Sequence, residues 1–160
     1  MRALVNHMTR GNTNYVLLAE GGTAADFLRL RDADALGADP VGAYARSVAA
    51  CVAAFEEPGV LDRPCDYPLG RVSGRRLLAV RTTDTLIHTW DLARAVGADE
   101  TLDATLVTWV RTRFAEIYDG LAETPLAGTS RFFAPAGQAP DSETSEQNLL
   151  LYRFGRTPDA

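Results

Sequence analysis

The residues that could do chemistry concentrate in the run R-T-T-D-T-L-I-H-T-W-D-L-A-R-A-V-G, Arg81 to Gly97. Asp84 and His88 have helical i,i+4 spacing, so both side chains leave one face of a helix with Cβ atoms roughly 6 Å apart. An imidazole nitrogen and a carboxylate oxygen placed that way can each reach a divalent ion at about 2.0–2.2 Å. Leu86 and Ile87 flank the pair, and apolar walls that exclude water strengthen the field of an ion held between them. Asp91 lies on the same face, suited either to hold the other ring nitrogen of His88 or to stand in solvent as an ordinary acid. Two donors make half a site, and the other half must come from a different helix. His7 is the only other histidine in the chain.

Each of these residues also has a plainer reading. Asp84 could be a helix-surface acid paired with Arg81 or Arg76. His88 could be a satisfied core histidine, and His7 a polar residue near a helix end beside the solvent-facing Asn6 and Arg10. Those readings must hold independently, whereas a single ion accounts for all three residues.

The elements that would carry the candidates are mostly helical. Apolar spacing predicts a first helix from Met1 to about Ala19, ended by Gly21-Gly22. A turn-rich stretch leads to Asp39-Pro40, an N-cap followed by a first-turn proline. The helix from Pro40 is expected to bury Tyr44, Val48, Cys51, Val52 and Phe55 and to stop at Glu57-Pro58-Gly59. Leu61 to Val72, broken by Pro64, Pro68 and Gly70, reads as a loop or short extended piece. A long helix from about Gly74 to Val96 is closed by Gly97. Asp99 or Thr101 is expected to cap the next, through Leu106, Trp109, Val110, Phe114, Ile117 and Leu121. A Pro/Gly-rich loop spans Thr124 to Pro140, with Phe132-Phe133 placed to cover a site or anchor the loop. The last helix, near Ser142 to Phe154, opens with the capping-type run Ser142, Glu143, Thr144 and Glu146. The reading is a single all-α domain over residues 1–160, an antiparallel bundle.

The bulk properties bound the function. A net charge of −5, with arginines scattered among acids, argues against nucleic acid as the main partner. All 16 basic residues are arginine, a mark of GC-rich coding more than of function. No apolar run approaches the roughly 18 residues that span a bilayer, and the N-terminus has no secretory-type core. Cys51 and Cys65 are far from CxxC spacing and read as free thiols, so a reducing, cytoplasmic setting is expected. Neither G-x-S-x-G, a P-loop nor H-E-x-x-H occurs. Trp90 and Trp109 read as core or interface residues.

Three segments carry a resemblance: A-L-V-N-H-M at the start, H-T-W-D-L-A-R-A-V-G in the middle and F-G-R-T-P near the end. With them the chain resembles the metal-binding domain of mycothiol-dependent maleylpyruvate isomerases and their stand-alone actinobacterial relatives, in the DinB-like superfamily. The resemblance implies a DinB-like four-helix-bundle type. It also implies a ligand set of one early-helix histidine with an acid-xxx-His pair, falling on His7, Asp84 and His88. Two departures stand out. That family usually has a helix before the one carrying its first histidine, which is missing here; either the start is truncated or the bundle is completed otherwise, for example in a homodimer. The full isomerase has a further C-terminal domain, so isomerase activity itself is not carried over.

Two functions follow as expectations. One is a metal-dependent enzyme acting on a low-molecular-weight thiol of the mycothiol type, as a transferase or isomerase-like protein. Zinc suits the ligands best, and nickel or iron is also accepted. Arg81 or Arg94 could meet an anionic substrate, though spacing selects neither. The other is a metal-binding sensor or interaction module without turnover.

Overall fold

A computed structural model describes residues 1–121, 136–137 and 144–158. The chain divides into two compact units, Met1–His88 and Thr89–Ala160.

The first unit is built on α1 (Arg2–Ala19) and α3 (Pro40–Glu56). Helix α1 is rich in poor helix formers, and Thr9 and Thr13 turn their hydroxyls back to Val5 O (2.8 Å) and Thr9 O (3.2 Å). Its stability therefore comes from packing, with Met8, Asn12, Asn14, Tyr15 and Leu18 buried. Helix α3 starts as expected, Asp39 accepting from Gly42 N at 3.0 Å ahead of Pro40. Asn12 of α1 donates to Ser47 of α3 at 2.9 Å. The buried stripe of α3 is narrower than expected. Cys51 and Phe55 are buried, but Val48 and Val52 are exposed. At 100° per residue those valines fall to one side of the Ser47–Cys51–Phe55 line that faces α1.

Two short elements are more regular than the sequence pattern resolves. The turn-rich stretch contains α2 (Ala24–Arg29), started by a reciprocal Thr23–Asp26 capping box. Residues 64–73 form an antiparallel hairpin, β1 (Pro64–Tyr67) with β2 (Gly70–Ser73), pairing Cys65 with Val72 and Asp66 with Arg71. Cys65, Tyr67 and Val72 face inward. The fold of the described residues is therefore mainly helical, with one small two-stranded sheet. Alternation over four residues a strand, interrupted by prolines, is too short a signal to separate from a loop. Both cysteines are free and buried, and burial raises both thiol pKa values.

Helix α4 spans Gly74–Val96, as the sequence predicts, and the boundary between the units falls within it. Gly74 is required at its start, because a Cβ there would meet Val60 O at 2.0 Å. Gly97, with φ 67°, ends it.

In the second unit α5 (Ala104–Thr112) is capped by Asp103, neither Asp99 nor Thr101. The Asp99 side chain instead accepts from Thr101 N at 2.9 Å, closing a local turn. Arg113 breaks the expected continuous helix, and α6 (Phe114–Tyr118) follows. Helix α7 (Glu146–Arg153) is capped by Ser145. Ser142, Phe132 and Phe133 lie outside the described residues, as does the 124–140 loop apart from Ala136 and Gly137. Trp90 is buried in this unit and Trp109 half-buried.

The end of the chain is clasped to α4. Arg156 grips Asp91 through two hydrogen bonds, 3.1 and 2.6 Å, and also donates to Phe154 O at 2.7 Å. Arg94 stacks 4.4 Å from the Trp90 ring centre and binds Glu100 at 3.1 Å. Its outer nitrogens reach Thr157 O at 3.1 Å and Pro158 O at 2.6 Å. The W-D-L-A-R and F-G-R-T-P segments are thus the two halves of one clasp. Among the described residues no helix is long and apolar enough to cross a membrane.

Candidate metal centre

His7, Asp84 and His88 come together inside the first unit. Each offers one donor atom, and the three atoms lie within 4.8 Å of one another. His88 Nε2 is 3.4 Å from Asp84 Oδ1, and His7 Nε2 is 3.8 Å from the same oxygen. The imidazole rings meet edge to face, with centroids 4.7 Å apart. Helix spacing supplies the Asp84–His88 pair, and an antiparallel passage of α1 along α4 supplies His7. One turn beyond His7, Gly11 meets Arg81, which lies one turn before Asp84.

Arg81 is the residue that sequence reasoning undervalued. It is buried, and each of its nitrogens is used. Nη1 donates to Asp84 Oδ2 at 2.5 Å, Nε to Asn12 Oδ1 at 2.9 Å and Nη2 to Met8 O at 3.1 Å. Its guanidinium carbon sits 5.7 Å from the Tyr15 ring centre. A Cβ on Gly11 would lie 2.4 Å from Nη1, so only glycine leaves room for this arrangement. A glycine inside a helix, one turn after a candidate histidine, is the signal that could have found it. Asp84 is paired with Arg81 as its plainer reading held, but in the interior and through one oxygen only.

The consequence is a divided carboxylate. Oδ2 belongs to Arg81, while Oδ1 faces the two imidazoles. Burial works to raise the Asp84 pKa, but the two imidazoles and the Arg81 charge outweigh it and hold the group well below the carboxylate range. Asp84 is therefore an anion at neutral pH.

Arg94 and Asp91 both take part in the clasp. Beside Arg81, the Tyr15 and Tyr67 hydroxyls share a buried hydrogen bond of 3.2 Å, and Phe27 packs edge-on to both rings.

The donor set fits a divalent ion. His7 Nε2 is buried without a hydrogen-bond partner, although the side chain as a whole is 45% exposed. A buried ring nitrogen facing a carboxylate oxygen and a second imidazole is a place where a cation would bind all three donors. Donors around one ion at about 2.1 Å lie at most ~4.2 Å apart, so the set must close slightly. His7, with its half-exposed ring, has the freedom to do it. Two imidazoles and one carboxylate leave coordination positions open, the catalytic pattern and not the closed structural one.

Comparison with known proteins adds a partial likeness. The chain is 42% identical over 66 residues to Uncharacterized protein Rv0738 of Mycobacterium tuberculosis (strain ATCC 25618 / H37Rv). It is equally similar to Uncharacterized protein MT0763 of strain CDC 1551 / Oshkosh. Each match covers 41% of this chain and 36% of the relative's length. No protein-family model matches the chain, and no solved structure does.

Proposed function

We propose that this protein holds one divalent metal ion through His7, Asp84 and His88 and uses it on a low-molecular-weight thiol, as a transferase or isomerase-like enzyme of the DinB-like kind. The observation that carries the metal reading is the buried Nε2 of His7, which makes no close hydrogen bond and stands 3.8 Å from Asp84 Oδ1 within a donor cluster no wider than 4.8 Å. Zinc suits two nitrogens and one carboxylate oxygen, and nickel or iron is accepted by the same donors. An ion with an open position favours the ionised form of a thiol near neutral pH. The chain's part is to hold the donors. Arg81 pins Asp84 from behind, the spacing along α4 aligns His88, and α1 delivers His7. The thiol rests on the resemblance of the H-T-W-D-L-A-R-A-V-G, A-L-V-N-H-M and F-G-R-T-P segments to mycothiol-dependent proteins.

Metal content by mass spectrometry tests the reading. The parent is expected to carry about one equivalent of zinc, nickel or iron, and His7→Ala and His88→Ala are each expected to lose it. A parent that stays metal-free after incubation with each ion would overturn the reading. Thiol titration of the cobalt-substituted protein then separates the functions. A saturable spectral change supports thiol chemistry, and its absence leaves a metal-binding module without turnover.

A further inference from the structure

Arg81 occupies a place where a scaffold needs only an apolar side chain, since burying an ion pair seldom stabilises a fold more than good packing does. The chain nonetheless shapes α1 around it, with Gly11 for space, Asn12 and the Met8 carbonyl as acceptors and Tyr15 beneath. Other arginines of this unit pair with exposed acids or a carbonyl, as Arg2 does with Asp34, Arg46 with Asp39 and Arg63 with Ala19 O. Arg81 is set against a member of the triad, 2.5 Å from Asp84 Oδ2.

The electrostatic consequence concerns what binds at the centre. A carboxylate ligand ordinarily offsets part of the charge of a divalent ion. Here the guanidinium cancels that carboxylate, and imidazoles that ligate a metal are neutral and add nothing. Arg81, Asp84, His7 and His88 are together neutral, so both charges of an ion among them stay uncompensated in a half-dry site. We propose that Arg81 is the built-in counter-charge that makes this centre select small anionic ligands, thiolates among them, over neutral donors. The inference rests on the metal reading above and extends it to the charge class of the ligand.

The test uses the cobalt-loaded full chain and two probes for the open position, thiocyanate as the anion and imidazole as the neutral donor. Arg81→Gln is expected to weaken thiocyanate on the order of tenfold while leaving imidazole within about twofold, and Arg81→Lys to restore the parent's ratio. A merely structural arginine would move both probes together. Should Arg81→Gln fail to fold, Asn12→Asp keeps the arginine and adds a negative charge against its Nε, and the thiocyanate-to-imidazole affinity ratio should again fall. A parent that takes up no metal overturns this inference with the metal reading. A parent that loads cobalt but shares its probe ratio with the charge-altered variants overturns this inference alone.

Discussion

At the scale of single residues, the candidate centre depends on a hydrogen atom where other residues carry a methyl group or more. Gly11→Ala adds intrinsic helix stability of up to about 1 kcal/mol. It also puts a Cβ 2.4 Å from Arg81 Nη1 and 3.0 Å from Cζ. The guanidinium must then leave at least one of its three charged hydrogen bonds, each worth roughly 1.5–3 kcal/mol. The variant is expected to lose about 1–2 kcal/mol in urea unfolding and to bind metal more weakly, because Asp84 loses its brace. A variant as stable as the parent, with unchanged metal affinity, would mean that the guanidinium yields without cost.

At the scale of elements, the hairpin is fastened to α1 through the phenols of Tyr15 and Tyr67. Burial, first, pushes Tyr67 up to about 12; the nearby Asp84 charge adds to it, against the Tyr15 hydrogen bond and Arg81. Tyr15 is raised by burial and by the charges of Tyr67 and Asp84. In the unfolded chain both phenols ionise near their ordinary value of about 10. Above that pH the unfolded state gives up protons the folded state keeps, so their contribution is whole below pH 10 and is lost as pH rises towards about 12. Urea midpoints measured across that range should fall, and Tyr67→Phe should flatten the fall. An equally steep fall in Tyr67→Phe would place the cause elsewhere. The same elements show what the sequence made legible. The bounds of α4, the Asp39-Pro40 start of α3 and the Asp84–His88 face follow from local chemistry, because caps, prolines and i,i+4 spacing act within a turn or two. The hairpin, α2 and the break at Arg113 are shorter than one hydrophobic period can mark. Arg81 and Tyr67 acquire their roles only when distant segments meet, and the one trace of that in the linear pattern is Gly11, a glycine inside a helix. His7 joined the triad in advance only as the remaining histidine and by resemblance.

At the scale of the whole molecule, each compact unit has its own arginine–carboxylate pairing. The triad and its brace lie wholly in Met1–His88, and the clasp of Asp91 and Arg94 with the chain end lies in Thr89–Ala160. Arg156→Ala removes a bidentate pair that is mostly buried and should lower the unfolding free energy by about 2 kcal/mol. Metal uptake should persist at the parent's stoichiometry. A variant of full stability would show that the clasp contributes nothing, and one that folds but takes up no metal would tie the centre to the chain end. The clasp also bears on how likeness is read. Its residues belong to the W-D-L-A-R and F-G-R-T-P segments, so those segments serve to fasten the chain. A second chain could keep that fastening while carrying other residues in place of His7 or Asp84. Likeness in those segments alone speaks for the fastening and not for the triad.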